Sequence, residues 1–353
     1  MNAALQQQFF TRNLLTWHEC ENNRDLPWKH EQDPYKIWLS EIILQQTRAE
    51  QGMPYYQKFV SHFPTVQALA GAPEDEVMRL WQGLGYYSRC RNLLKTARII
   101  CEQYDGIFPK DYKALLALPG VGAYTAAAIA SFAFGLPHAV VDGNVYRLLS
   151  RYFGIELAID GTKGKKAFST LAQELLDKNK SASYNQAIMD FGAVICKPQQ
   201  PLCASCILSA KCIAYKQDLV DLLPVKEKKL NIKTRHFHYF WLEHKNQIFI
   251  SLREEKDIWQ QLYEPYLIET KGSYSQEDKW LAISENITDP VMPLYHTRQR
   301  LTHQLIHSTF YYIKLKRRPP SLANKGFWVE KNNLKKYAFP KTIISFFNGN
   351  DYF

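Results

Sequence analysis

Two carboxylates in this sequence have neighbours that would alter their chemistry. Glu41 lies in PYKIWLSEIILQQTR, which reads as a helix with Asp33 as its N-cap and Pro34 at its first position. At helical spacing Ile37, Trp38, Leu44 and Gln45 share its face, so Glu41 is either embedded among apolar neighbours or a surface residue at the edge of that stripe. In the first case desolvation raises its pKa and keeps it protonated, as a general acid requires. Asp142, in VVDGNVYRLLSRYFG, stands just before another helix, where unpaired N–H groups and the positive dipole end favour the anion. A plain N-cap would look the same. Two carboxylates whose surroundings push their pKa values apart suit cleavage of a glycosidic bond, and a nucleoside contains one.

Four thiols form a second constellation. Cys196, Cys203, Cys206 and Cys212 occupy CKPQQPLCASCILSAKC with the spacing C-x6-C-x2-C-x5-C. In a reducing compartment two disulfides would not persist here, so the pattern suits a structural metal centre. A single short knuckle within one compact loop fits a cubane iron–sulfur cluster and leaves zinc open. Cys20, Cys90 and Cys101 are scattered and read as inert thiols.

The elements that must position these groups are mostly helical. From Ala114 to Val141 the chain carries no Lys, Arg, Asp or Glu, but Pro119 and Pro137 leave only 17 residues between them, interrupted by glycines, too short and broken for a membrane span. Asp111 to Leu118 reads as a short helix, LPGVG as a tight turn, and AYTAAAIASFAF as a second, closely packing helix. The helix N-terminus after Gly122 is suited to an anion, although a purely structural turn has the same pattern. No Lys follows in the loop, so this is not a nucleotide-hydrolysing phosphate loop.

At 353 residues the chain has room for two or three domains, and its net charge of +10 favours a polyanionic partner. The N-terminus has no secretory pattern, which points to an intracellular, reducing compartment. After the cysteines, a charged stretch with Pro224 gives way to HFHYFWLEH, QIFISL and HSTFYYIKLK, strand-like runs rich in β-branched and aromatic residues.

Together SEIILQQT, LPGVG, VDGN and the cysteine loop resemble the helix–hairpin–helix DNA glycosylases. Within that superfamily they are similar to the adenine DNA glycosylase (MutY) family, which removes adenine mispaired with 8-oxoguanine. The resemblance spans about residues 5–215, and more weakly 230–345. It implies a multidomain α plus α+β fold. An all-helical glycosylase domain, 1–215, contains a 4Fe-4S loop at 196–212. A linker, 216–232, leads to a Nudix-like α+β domain for 8-oxoguanine recognition, 233–353. That last domain has no glutamate run of the REXXEE type and is expected to read rather than to catalyse.

By the same resemblance Glu41 is the general acid, Asp142 stabilises an oxocarbenium ion, and Asn144 hydrogen-bonds in the pocket. Tyr124 occupies the position where bifunctional relatives carry a Lys nucleophile, which implies a monofunctional enzyme. Cys196, Cys203, Cys206 and Cys212 would hold one 4Fe-4S cluster. The expected partner is duplex DNA with A:8-oxoguanine or A:G mispairs, bound by a monomer in the cytoplasm, at the nucleoid if bacterial. Arg24, Leu26, Trp28 and Lys29 of RDLPWK would contact the extruded base and the DNA backbone, with Gly120 and Gly122 cradling phosphate. Gln45 and Gln46 would fill the vacated space, Tyr86 would wedge beside 8-oxoguanine, and Gln186 would line the pocket. Leu301, Thr302 and His303 align with a loop that inspects 8-oxoguanine, flanked by Arg298 and Arg300.

Overall fold

The computed structural model describes residues 3–227, 231–272 and 293–349. Parts of the expected linker and sheet domain (228–230, 273–292 and 350–353) therefore lie outside the described residues. Packing divides the chain into one unit of Met1–Gly71 with Asn92–Lys228 and another of Ala72–Arg91 with Lys229–Phe353. Residues 72–91, which precede the glycine hairpin in sequence, thus group with the sheet.

The first unit is helical. Its main elements are α1 (Ala3–Cys20), α2 (Pro34–Leu44), α3 (Ala49–His62), α4 (Val66–Ala70) and the later part of α6 (Tyr87–Gln103). They are followed by α7 (Tyr112–Ala117), α8 (Ala123–Phe134), α9 (Gly143–Phe153), α10 (Thr162–Leu175), α11 (Ser181–Val194) and α12 (Ile213–Lys216). Phe10 and Trp17 of α1, Leu148 and Tyr152 of α9, Phe168 of α10 and Phe191 of α11 are buried in one core. The alanines of α8 add almost no bulk, which lets α2 and α7 lie against it.

Helix termini follow the local chemistry. Asp33 caps α2 by accepting from the Tyr35 N–H, with Pro34 at the first position. The helix stops at Leu44 rather than continuing through Gln45 and Gln46. The Gln45 amide donates to Thr125 Oγ1 at 3.3 Å and to the Gly120 carbonyl at 3.4 Å, and Gln46 turns into the left-handed region at φ 54. In the hairpin between α7 and α8, only Gly120 takes a positive φ, of 75, and a Cβ there would lie 2.8 Å from Asn92 Cβ. Gly122 is extended. Its lack of a side chain leaves open space at the start of α8.

Among the described residues the second unit contains α5 (Glu74–Trp81), the start of α6 and a seven-stranded sheet. Its strands are β1 (Lys233–His244), β2 (Gln247–Leu252), β3 (Tyr263–Glu264), β4 (Tyr266–Thr270), β5 (Pro293–Arg300), β6 (Gln304–Lys314) and β7 (Phe327–Glu330). The order β3-β2-β1-β6-β5 is extended by β4 on β1 and β7 on β2. β1 and β6 are parallel, paired from Lys233↔Gln304 to Glu243↔Lys314. Lys245 and Asn246, both at positive φ, close the β1–β2 hairpin in the twist that two-residue turns need. α13 (Lys341–Gly349) covers one face, with Phe346 stacked on Phe310 at 4.4 Å.

Where α11 meets α9, Gly192 permits a contact that no side chain would allow: a Cβ would lie 2.8 Å from Asn144 Cβ and 2.9 Å from its carbonyl oxygen. Gly192→Ala should therefore destabilise the chain by about 1–3 kcal/mol, the range for overpacking. Urea denaturation would measure it, and an unchanged midpoint would show that α9 can yield freely.

Candidate active site and cysteine loop

The helical unit brings three of the expected residues together. Glu41, on the buried face of α2, is 6 % exposed. Burial pushes its carboxyl up to about 7, helped by the negative charge of Asp142 and opposed by a hydrogen bond from Tyr124. Tyr124, in the first turn of α8, faces both carboxylates, and its hydroxyl also contacts Met189 Sδ of α11 at 3.9 Å. Glu41 thus has the environment of an acid that still holds its proton near neutrality.

Asp142 is held differently. As N-cap of α9 it accepts from the Val145 N–H at 2.7 Å through Oδ1 and from the Asn144 amide at 2.8 Å through Oδ2. Burial nevertheless raises its pKa, while those bonds and the Arg147 charge pull the other way. Asp142 retains part of its surface for water, which tempers the upward push. The helix N-terminus alone suggested a stabilised anion; in the structure burial outweighs that effect and the net push is toward the neutral form. The contrast between the carboxyls is one of degree, with Asp142 holding several donors to its charged form and Glu41 essentially one.

Behind Asp142 runs a buried chain of hydrogen bonds. Arg147, 9 % exposed, donates to Asn144 Oδ1 at 2.8 Å, to the Gly192 carbonyl at 2.6 Å and to the Cys196 carbonyl at 2.7 Å. Arg151, one turn on, donates to the Lys197 carbonyl at 2.7 Å and approaches Cys196 Sγ at 3.6 Å. Neither arginine was singled out from sequence, although two arginines four apart within an apolar helix pattern are the available signal.

Cys196, Cys203, Cys206 and Cys212 are free thiols lining one small cavity of about 30 Å³, together with Leu148, Phe191 and Leu202. Burial raises the last three thiols, and each of them senses the charge of its neighbours. Among the described residues no three His, Cys, Asp or Glu converge closely enough to ring a single metal ion. The donor set, all sulfur in an apolar wall with one guanidinium alongside, fits the four thiolates of a cubane cluster.

The segment before α2 is tied to a buried acid of α11. Arg24 Nη1 donates to Asp190 Oδ1 at 2.7 Å, and Lys29 Nζ lies 3.6 Å from Oδ2. Gln186 Nε2 donates to the same Oδ2 at 3.0 Å. Three residues expected at the DNA or the base therefore meet one buried carboxylate that sequence reading passed over. An acid in the apolar run YNQAIMDFGAVI was the clue. Trp28 packs edge-on against Tyr56 at 5.4 Å, and Leu26 is half-buried. Gln46 is exposed.

In the sheet unit Tyr86 is 44 % exposed at a left-handed φ of 49, and its hydroxyl hydrogen-bonds Thr302 Oγ1. Leu301, Thr302 and His303 form the β5–β6 turn, with Arg298 and Arg300 exposed on β5. Tyr86, Trp259, Gln260, Thr302 and His303 line a cavity of about 460 Å³. A larger groove of about 960 Å³, lined by Leu5, Arg12, Glu174 and others, holds neither site carboxylate. No helix among the described residues is long and apolar enough to cross a membrane.

Comparison with known proteins agrees with this division. Residues 39–178 match the HhH-GPD superfamily of base excision DNA repair proteins, and residues 238–348 match the NUDIX domain. An adenine DNA glycosylase of Buchnera aphidicola is 35 % identical over 93 % of this chain and 91 % of its own length. One from Mus musculus is 42 % identical over 59 % of this chain and 42 % of its own. Among solved structures, a thermostable thymine-DNA glycosylase is 34 % identical with a TM-score of 0.57, covering 62 % of this chain and all of that one. An endonuclease III trapped on DNA shares the fold at 22 % identity, with a TM-score of 0.54, over 62 % of this chain and all of its own.

Glu41 provides a direct test of the site's electrostatics. Its carboxyl ionises near 4.5 in the unfolded chain and about 7 in the folded one, so the native state holds the extra proton between those values. Its contribution to stability is thus intact below pH 4.5, falls as pH rises through the window and is lost above about 7. Glu41→Gln removes this dependence. Relative to the native chain, the variant should gain about 3 kcal/mol of stability between pH 4 and pH 8, measured by urea denaturation. A constant difference across that range would show that Glu41 is not desolvated.

Proposed function

We propose, for a chain that belongs to the adenine DNA glycosylase family, that it excises adenine opposite 8-oxoguanine or guanine as a monofunctional enzyme. It is a DNA N-glycosylase of base excision repair, with a helical HhH-GPD domain and a Nudix-like α+β domain. The observation that carries the finer reading is the buried Glu41, protonated up to about pH 7, facing Tyr124 and Asp142.

The mechanism follows from these groups. Adenine extruded from the duplex would place its N7 at Glu41, which delivers its proton. The C1′–N9 bond breaks and its electron pair leaves with the neutral base. Positive charge then builds on the sugar, where Asp142, braced by Val145, Asn144 and Arg147, stabilises it. Water adds to C1′ and releases a proton, balancing the one delivered to adenine. Tyr124 has no amine with which to form a Schiff base, so the product is an intact strand with an abasic site.

Cys196, Cys203, Cys206 and Cys212 would hold a 4Fe-4S cluster, whose iron–thiolate bonds would make their loop rigid. In the sheet unit, Thr302 supplies a hydroxyl that accepts from N7–H of 8-oxoguanine and donates to its C8 oxygen, with His303 and Tyr86 beside it. Tyr86 in its left-handed turn is the wedge of this reading.

Incubation with an A:8-oxoguanine duplex should give strand breaks only after alkali. Glu41→Gln and Asp142→Asn should bind that duplex yet lose most single-turnover excision, about 100-fold or more for the general acid. Either variant at near native rates would remove its residue from the chemistry. Breakage without alkali would show a lyase. Excision by the native chain should also decline as pH rises past about 7, where Glu41 loses its proton.

The cysteine loop has its own test. Chain purified anaerobically from iron-replete cells should carry about four iron and four sulfide. Stoichiometric zinc would replace the cluster assignment.

A further inference from the structure

The stretch from Lys314 to Lys336, KLKRRPPSLANKGFWVEKNNLKK, contains eight Lys or Arg and one Glu, and neither site described above uses them. The fold gathers much of this charge at one end of the sheet. Lys314 closes β6 in register with Glu243 of β1. The Leu315 N–H donates to the Glu243 carbonyl, and the Leu315 carbonyl accepts from the His244 ring at 3.0 Å. Arg318 donates to the Gln247 side-chain oxygen at the start of β2, and its guanidinium lies 5.3 Å from the centre of the Trp328 ring. Lys245, Lys314, Lys316, Arg317 and Arg318 are all exposed. Two carboxylates stand at this end among the described residues. Glu243 is buried against Lys331 and the Tyr312 hydroxyl, and Glu330 accepts from the Asn246 and Gln247 amides. The surface is therefore cationic.

Its place in the sheet matters. β1 and β6 run parallel, and the opposite end of the pair is Lys233↔Gln304, directly after the Leu301–His303 turn. At about 3.3 Å per residue the two ends are about 33 Å apart. A turn that inspects a base edge enters a groove tip first, so β5 and β6 point toward that duplex. Their basic end then points away from it. Duplex DNA has a persistence length of about 150 base pairs and does not fold back over so short a distance.

We propose that this basic end of the sheet is a second DNA-binding surface, which takes the phosphate backbone of another duplex segment while the chain is still on the first. Clustered Lys and Arg side chains pair with phosphates by releasing counterions and read no sequence. Undamaged duplex is the polyanion that a DNA glycosylase meets in excess, so it is the occupant that this charge fits. The consequence is direct transfer of the chain between duplex segments through a doubly bound intermediate, in place of release into solution. The inference rests on the reading of Leu301–His303 as the turn that faces the lesion.

The test loads the full chain on a fluorescent undamaged duplex and follows its release as unlabelled undamaged duplex is raised in excess. Simple dissociation proceeds at one rate whatever the competitor concentration. Transfer through a doubly bound complex makes the rate climb with competitor. The native chain should show that climb, and its slope should weaken about 100-fold between about 50 and 200 mM salt if four phosphates are neutralised. Combining Lys245→Ala, Lys316→Ala, Arg317→Ala and Arg318→Ala should lower the slope about 10-fold or more at low salt. Should that variant fail to fold, as judged by urea denaturation, Lys245→Glu with Lys316→Glu decides, since both side chains are exposed. A native release rate that ignores the competitor, or an equal climb in a folded variant, overturns the inference. So does acceleration by single-stranded RNA or polyglutamate where duplex DNA gives none. Adenine excision is measured separately: a native chain that excises none but keeps the competitor dependence sinks the functional reading and leaves the second surface in place.

Discussion

The buried guanidinium of Arg147 is the interaction on which the helical unit's site depends. A desolvated charge must find acceptors or disrupt the fold, and burial already lowers this group's pKa. Three of its acceptors belong to different stretches of chain: Asn144 beside Asp142, the Gly192 carbonyl on α11, and the Cys196 carbonyl at the start of the cysteine loop. One side chain thereby ties the cap of α9 to the end of α11 and to the cysteine loop. The missing side chain at Gly192 lets the two helices approach closely enough for this to happen.

Reactivity in such a site comes from arranging for a carboxyl to be poorly solvated. Glu41 has apolar neighbours on its own helix and few donors, so its proton is retained. Asp142 is also pushed toward the neutral form, but the N–H of Val145, the Asn144 amide and the charge of Arg147 all favour its anion. In the proposed mechanism the acid and the electrostatic stabiliser are two carboxyls set apart by unequal numbers of donors. The cost is stability, since a carboxyl pair facing one tyrosine is a poor choice for a core whose only task is to stay folded.

A second buried charge, Asp190, does for the segment before α2 what Arg147 does for the cysteine loop. Both are single ionised groups inside the helical unit that gather donors or acceptors from distant stretches of chain. Irregular backbone can then be held as firmly as a helix, and the 21–33 segment leads directly into the cap of the helix that carries Glu41. The sheet unit uses local backbone geometry instead. Tyr86 and Trp259, both at left-handed φ, line one cavity with the β5–β6 turn.

Much of this was legible in the order of residues, because its causes are local. Asp33-Pro34, Asp111 and Asp142 mark helix starts through their own side-chain bonds, and Pro119-Gly120 marks the hairpin through backbone sterics. The cysteine spacing and the strand-like runs also survive translation into structure. What the tertiary structure alone decided is which groups share a partner. Arg24 and Asp190 are 166 positions apart, and Arg147 and Cys196 are 49 apart, so no window of sequence holds both members of either pair. The end of α2 at Leu44 coincides with bonds from Gln45 to Thr125 and Gly120, far along the chain, and residues 72–91 group with the sheet rather than with the helices adjacent in sequence. Burial of a charge is a property of everything packed around it. Local sequence can therefore name a candidate for the chemistry, but only the assembled core determines its proton, its partner and its orientation.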